Sequence, residues 1–297
     1  MKRRILIIHN PIAGRPLITR WRENKMLKLL HLLTERGHEV SMILTERAGH
    51  AEKLAYEAED IDVIVAAGGD GTINEIVNGL CQRDEAKPAP SIAVLPMGTA
   101  NVLAWELALP SDLNKIIPII ESGRFKKVYP GLADKRRFLL MASSGIDSRV
   151  VNIVNSGLKR FIGGAAYVVA AFKVLNQKPP FIRVRVNGQR LVANTVIVTR
   201  AARYGGPFIV APDADISSDE LYVILLPLYG YCAALCYGVN LALGRLHLSR
   251  DVTVLKTNEV QFETAKESDI QMDGDGPYIM PMNVTVDQRS VGILVSS

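Results

Sequence analysis

Up to residue 125 the apolar and polar positions of the chain fall into two alternating rhythms. Short apolar runs, "RILIIHN" from Arg4, "HEVSMILT" from His38, "IDVIVAA" from Ile61 and "SIAVLP" from Ser91, read as strands. Between them "RWRENKMLKLLHLLTERG" is an amphipathic helix that stops at Gly37, and "GHAEKLAYEAE" is a second helix. Strand, helix and strand at this spacing predict a parallel, doubly wound α/β sheet, a fold that takes ligands at the carboxyl ends of its strands. Those ends read "HNPIAGR", "LTERAGH", "AAGGDGT" and "LPMGTAN", and all four are polar or glycine-bearing. They are expected to converge on one cleft.

Beyond residue 125 the period changes to two. "FIRVRVNGQRLVANTVIVT" alternates, and Asn187-Gly188 is a type I′ hairpin signal. Further strands are expected at "LYVILL", "DVTVLKT", "EVQFET", "DIQMDG" and "NVTVD", with helices near 148–157 and 164–176. The reading is an α/β domain over 1–125 and a mostly antiparallel β domain over 126–297, with a cleft between the halves and a last strand that could return to the first domain. From Leu221 to Gly244 the chain carries no charge and is long enough to span a bilayer. Pro227 and Gly230 divide it, which predicts a buried strand and a buried helix, with peripheral membrane contact left open.

Composition refines this picture. With 297 residues, 48% apolar and 22% charged, the chain can fold around one large or two ordinary cores. A net charge of +5 suits an anionic partner such as a nucleotide or an acidic lipid surface. Nucleic acid is not expected, because the basic residues are scattered and show no aromatic-interleaved face. Cys81, Cys232 and Cys236 make neither a disulfide framework nor a zinc set, and read as small buried hydrophobes in a reducing compartment. The apolar run Ile5 to Ile8 is too short for a secretory leader.

The chemistry concentrates in "AAGGDGTINEIVNGL", residues 66–80. Gly68, Gly69 and Gly71 let backbone amides approach a ligand and permit positive φ. Thr72 and Glu75 have capping-box spacing, and Ile73, Ile76, Val77 and Leu80 follow with helical period, so a helix is expected to start at Thr72. Its positive end suits phosphate. A tight turn without a ligand explains the glycines equally well. Asp70 favours the ligand, because a carboxylate there would repel phosphate unless a divalent cation lay between them, or it would bind a ribose hydroxyl or water. The loop lacks the Gly-Lys-Ser/Thr ending of a Walker A motif.

Together with "NPIAG" at 10–14 and "PMGTAN" at 96–101, "GGDGTINEIVNGL" resembles the lipid kinase family of diacylglycerol kinases, sphingosine kinases and their bacterial relatives. The resemblance extends over nearly the whole chain through "GGAAY" at 163–167, "PDADISSDELYV" at 212–223 and "QMDGDG" at 271–276. It implies a nucleotide domain followed by a β-rich lipid-substrate domain, with ATP and Mg2+ used to phosphorylate a hydroxyl of a membrane lipid. By that resemblance Asn10, Pro11, Gly14 and Arg15 line the ATP phosphates, and Thr45 touches the nucleotide. Gly68, Gly69, Asp70, Gly71, Thr72, Asn74 and Glu75 form the central loop, with Thr99 and Asn101 as a further wall. Asp70 acts near the metal or nucleotide. Asp275 stands where the family places a general base, usually a glutamate in "DGE".

The chain departs from the family at three places. Val102 replaces an aspartate of "GTxND". Ile216, Ser217, Ser218 and Asp219 replace "LDDG", which leaves Asp213, Asp215 and Asp219 as candidate metal ligands. Asp275 is one methylene shorter than glutamate. Plainer alternatives stay open: "DGD" as a type I′ hairpin turn with solvent-facing aspartates, an NAD kinase sharing "GGDGT", and a nucleotide-binding regulator without catalysis. The expected setting is cytoplasmic, peripheral at the inner face of the membrane, with Lys159, Arg160, Arg183, Arg185 and Arg203 facing anionic lipid and a homodimer left open.

Overall fold

The computed structural model describes residues 2–13, 19–153, 173–177, 181–263, 269–279 and 281–296. The chain divides into two units, Met1–Val128 with Arg289–Ser297, and Tyr129–Gln288.

The first unit runs β1 (Arg4–His9), α1 (Thr19–Glu35), β2 (Glu39–Leu44), α2 (His50–Glu57), β3 (Val63–Gly68), α3 (Asp70–Cys81), β4 (Ser91–Pro96), α4 (Val102–Glu106), α5 (Leu113–Ser122) and β5 (Phe125–Val128). Its sheet has the order β2-β1-β3-β4, continued by the chain's last strand, Val291–Leu294, and then β5. β1 pairs in parallel with both β2 and β3, and β3 with β4, as the short apolar runs predict. β3 is buried at every position, which suits a strand covered by helices on both sides. One layer of the core joins Ile5 and Ile7 to Met26, Leu29 and Leu33 of α1 and to Ile116, Ile117 and Ile120 of α5.

The second unit holds β6 (Gly131–Ala133), β7 (Arg136–Phe138), β8 (Met141–Ser144), α6 (Ile146–Ile153), β9 (Ile182–Val186), β10 (Gln189–Ala193), β11 (Thr195–Thr199), β12 (Arg203–Tyr204) and β13 (Phe208–Ile209). It continues with β14 (Leu221–Leu226), α7 (Tyr231–Ala242), β15 (Thr253–Thr257), β16 (Glu259–Glu263), β17 (Asp269–Met272), β18 (Asp275–Ile279) and β19 (Met282–Val286). Two antiparallel sheets result, β10-β9-β16-β19-β6-β7 and β15-β14-β11-β8-β17-β18. Val184, Val186, Val260, Phe262 and Val284 of one share a core with Val196, Val198, Val223, Ile270 and Met272 of the other, so the sheets form a sandwich. Asn187 (φ 51°) and Gly188 (φ 78°) are both left-handed, the backbone that a type I′ hairpin between β9 and β10 requires.

Two expectations fail in this unit. β14 is buried as read, but α7 is not, and within it only Tyr237 is buried. Cys232 and Cys236 therefore lie at the surface, whereas Cys81 is buried. An uncharged run signals removal from water without saying what removes it, and here the sandwich does not. Among the described residues no helix is long and apolar enough to cross a membrane. Most of the helix expected at 164–176 falls outside the described residues.

In the first unit α2 and α3 pack closely enough that a Cβ on Gly79 would collide with the Glu52 carbonyl oxygen and lie 3.0 Å from the Ala55 Cβ. Gly79→Ala is expected to push α2 off α3 and cost about 1–3 kcal/mol, the usual range for overpacking. Urea denaturation compared with wild type measures it.

Candidate functional site

The crevice of a doubly wound sheet opens where neighbouring strands leave for opposite faces, and β1, with β2 on one side and β3 on the other, sets that point here. Asn10 follows β1 directly. Its amide donates to the Ala67 carbonyl at 3.0 Å, its Oδ1 accepts from the Ile12 amide at 3.0 Å, and its Nδ2 donates to Thr72 Oγ1 at 3.0 Å. The turn after β1, including Pro11, is thereby tied to the first turn of α3. Gly14 and Arg15 lie outside the described residues. Thr45, at the end of β2, is buried and donates its amide to the His9 carbonyl at 2.8 Å.

α3 begins at Asp70, not at Thr72, and among the described residues no side chain caps it. None of Gly68, Gly69 and Gly71 has positive φ. Neighbouring groups, not backbone handedness, require glycine at 68 and at 98. A Cβ on Gly68 would stand 2.5 Å from Thr72 Oγ1, and one on Gly98 would stand 2.6 Å from the Gly69 Cα. Among the described residues a Cβ on Gly71 would meet nothing within 4 Å, so the helix mouth is open on that side. In the first turn of α3 the Thr72 and Ile73 amides donate to the Gly69 carbonyl at 3.0 and 3.2 Å, which leaves the Asp70 and Gly71 amides at the mouth, where the positive end of the helix favours an anion. A phosphate group fits this cradle.

The expected Thr72–Glu75 capping box does not form, because the helix starts two residues early and places Glu75 beyond its own mouth. The Glu75 carboxylate instead accepts from the Gly49 amide at 2.9 Å and the Ala51 amide at 3.1 Å, which caps α2. Asn74 is buried and accepts from Asn78 Nδ2 at 2.7 Å. Both side chains serve packing within the unit.

Asp70 is turned toward α4. Its Oδ2 accepts from the Val102 amide and its Oδ1 from the Leu103 amide, both at 3.1 Å. Burial pushes the carboxyl group above the usual range, opposed by the amides of Leu103, Val102, Asp70 itself and Asn101. The carboxylate is thus engaged by the amides that open α4 as well as by its own. Position 102 contributes a backbone amide here, a role that valine fills. Asn101, left-handed at φ 47°, accepts from the Gly98 amide at 2.8 Å and donates to the Gly98 carbonyl at 3.0 Å. Thr99, beside it, is exposed. The two glycine loops are thus locked to each other through Gly69 against Gly98 and through Asp70.

In the second unit Asp273 (φ 49°) and Gly274 (φ 81°) make a type I′ turn between β17 and β18, so the hairpin alternative for "DGD" describes the backbone. The two aspartates differ. Asp273 does not face solvent: its carboxylate accepts from the amides of Leu139 (2.6 Å), Leu140 (2.9 Å) and Met141 (2.9 Å). Asp275 is exposed, with the Gly276 amide 3.0 Å from Oδ1 and the Tyr278 hydroxyl 3.5 Å from Oδ2. Burial, and next the Asp275 charge, raise the pKa of Tyr278.

Beside this turn stands a polar group that the sequence reading missed. Asp147, in the first turn of α6, accepts from Ser143 Oγ, from the Tyr204 hydroxyl and, at 2.9 Å, from Gln271 Nε2. Gln271 Nε2 also donates to Ser143 Oγ at 2.7 Å, and its Oε1 accepts from the Gly274 amide at 2.7 Å. The one trace in the sequence is a glutamine between two apolar residues of a strand, Ile270 and Met272, which must find partners once buried.

The proposed metal ligands do not come together. Among the described residues no three acidic, histidine or cysteine side chains form a group able to hold a metal, so Asp213, Asp215 and Asp219 are not a cage. Asp215 Oδ1 accepts from the Ser217 amide and hydroxyl at 2.9 and 2.7 Å. The carbonyls of the loop face a side chain: the buried Arg200 guanidinium donates to Tyr129 (3.0 Å), Ile216 (3.1 Å), Ser218 (2.5 Å) and Glu220. Burial lowers its pKa to about 10, with Asp215, Asp219 and Glu220 acting in the other direction. Of the basic residues expected on lipid, Arg185 is paired with Glu263 at 3.1 Å and Arg203 donates to the Pro207 carbonyl at 2.7 Å. Arg183 is exposed, and Lys159 and Arg160 lie outside the described residues.

Comparison with known proteins bears on both units. Residues 4–133 match the diacylglycerol kinase catalytic domain, and residues 141–295 match the YegS C-terminal NAD kinase beta sandwich-like domain. A diacylglycerol kinase of Staphylococcus carnosus is 28% identical over 289 residues, covering 95% of this chain and 92% of that protein. A diacylglycerol kinase of Staphylococcus aureus is 29% identical over 300 residues, covering 99% and 92%. The crystal structure of a diacylglycerol kinase from Bacillus anthracis shares the fold, with a TM-score of 0.75, 20% identity, and coverage of 99% of this chain and 97% of that one.

Asp70→Asn exchanges an acceptor of two α4 amides for a group with one donor end, and is expected to cost about 1–3 kcal/mol in denaturation. In the wild type the native state holds the Asp70 proton more tightly than the unfolded chain. Its contribution to stability therefore falls as pH rises from the ordinary carboxylate range through the raised value, and a pH series with Asp70→Asn should lack that decline. Arg200→Met strands buried carbonyls and is expected to lose ~3 kcal/mol or more by the same measurement.

Proposed function

Because the chain belongs to the diacylglycerol kinase family and is a lipid kinase, we propose that it transfers the γ-phosphoryl group of ATP to a hydroxyl of a membrane lipid. The observation that carries the nucleotide part is the pair of locked glycine loops at the switch point of the sheet, with the Gly71 side of the α3 mouth open among the described residues. In this reading Asn10, Thr72 and the amides of Gly69 to Gly71 bind phosphate oxygens. Pro11, Thr45, Thr99 and Asn101 border the nucleotide. Asp70 is a positioning residue that holds the 98–103 loop against α3.

The helix mouth suits an anion, and the described side chains do not build a three-ligand cage for a metal. Mg2+ would therefore arrive on the triphosphate and supply charge neutralisation there, which is where most of the rate enhancement in phosphoryl transfer arises. Asp275 takes the proton of the acceptor hydroxyl. The new bond forms between that oxygen and the γ-phosphorus as the bond to the bridging oxygen breaks, and ADP leaves. An exposed carboxylate bound only lightly by its neighbours is able to receive that proton. The relatives' names make diacylglycerol the first acceptor to test, and sphingoid or ceramide lipids the next. An acceptor of this kind places the enzyme at a membrane surface.

Incubation with labelled ATP and a total lipid extract, with NAD as a control acceptor, is expected to label a lipid. Asp275→Asn is expected to lower turnover by about 10²–10⁴-fold, the usual worth of a general base, while ATP affinity is retained. Unchanged turnover would remove Asp275 from the chemistry.

A further inference from the structure

A helix on a protein surface ordinarily turns its charged residues to water and its apolar stripe inward. α7 does the reverse. Cys232, Leu235, Cys236, Val239, Ala242 and Leu243 share one helical face, and all are exposed, Leu235 to 69%, Val239 to 50% and Leu243 to 63%. Leu228 before the helix and Leu248 after it extend the apolar surface. The opposite side is firmly attached. The Tyr237 hydroxyl donates to Asp251 Oδ2 at 2.5 Å and accepts from the Leu228 amide at 3.3 Å. Ahead of the helix the Tyr229 hydroxyl donates to the carbonyls of Val174 (2.6 Å) and Gln177 (3.1 Å), and the Tyr231 hydroxyl donates to Asn176 Oδ1 at 2.8 Å. The apolar face is therefore held outward by contacts at the start and the middle of the helix.

We infer that α7 lies in the surface of a bilayer that carries anionic headgroups. Its 12 residues span ~18 Å, too short to cross a hydrocarbon core of about 30 Å but suited to lie along its boundary. Charge complementarity favours the same partner. From Leu221 to Gly244 the chain bears no charge, and the first charged residues beyond it are Arg245 and Arg250, both exposed at the end of the stripe. The one acid beside them, Asp251, is engaged by Tyr237. An apolar stripe with an arginine rim matches acyl chains below phosphate groups. A second copy of the chain fits less well. A single helix face about 10 Å wide and ~18 Å long offers far less than the roughly 800 Å² per partner of a stable interface.

The inference rests on the reading that the acceptor is a membrane lipid, but its test does not depend on catalysis. The full chain, without ATP, is sedimented with vesicles of equal parts phosphatidylglycerol and phosphatidylcholine, and with vesicles of phosphatidylcholine alone. Wild type is expected to bind the anionic vesicles. Leu235→Asp with Val239→Asp is expected to weaken that binding at least ~tenfold, since charge on the inserted face opposes burial in the boundary. Arg245→Gln with Arg250→Gln is expected to abolish the preference for anionic vesicles while weak binding persists. Both pairs are exposed, so melting temperatures should match wild type, and turnover of a short-chain diacylglycerol dispersed without vesicles should be unchanged. Equal vesicle binding by wild type and the aspartate variant overturns the inference. So does a wild-type dimer in gel filtration that the same variant dissociates, because a second copy is then the occupant. If no lipid is phosphorylated but vesicle binding follows the pattern above, the surface stands and the kinase reading falls.

Discussion

The first unit depends on one half-buried carboxylate. Asp70 sits between two loops that each end a parallel strand, and it spends both oxygens on the amides that open α4. Remove that acceptor and the amides of Val102 and Leu103, both buried residues, lose their partner. The close contact of Gly69 with Gly98 would then rest on the strand pairing beside it, where the Met97 amide donates to the Gly68 carbonyl at 2.8 Å. The glycines do not supply flexibility. They allow two backbones to approach until a single acid spans both.

The same device recurs across the chain. Glu75 caps α2, Asp112 caps α5 through the Asn114 amide at 3.0 Å, and Asp273 gathers three amides at the entry to β8. In each case an acid satisfies backbone donors that open an element, locally for Asp112 and across the fold for Glu75 and Asp273. Such acids look catalytic in a sequence, because motif positions rich in Asp, Glu and Gly are also those where helix and strand termini crowd together. Asp275 differs from them in being exposed and lightly held.

Much of the fold was legible because periodicity reports burial. The apolar runs at Ile5–Ile8 and Val63–Ala67 could only be strands within a covered sheet, and Asn187-Gly188 names its own turn. Side-chain destinations were not legible. Thr72 and Glu75 have the spacing of a local cap, yet Glu75 finds better partners in α2, which is distant in sequence. α7 was misread for a related reason: hydropathy states that a segment avoids water, not which partner it meets. Asp147, Tyr204 and Gln271 are scattered along the chain and meet only after the sandwich forms, so no motif could have joined them.

Arg200 offers a last consequence. The loop around residues 216–220 presents its carbonyls to a positive charge that is part of the polypeptide. A guanidinium cannot diffuse away, be chelated or be exchanged for another ion, and with a pKa of about 10 it stays charged throughout the physiological range. The carbonyls of that corner of the sandwich are thereby balanced from within the chain itself.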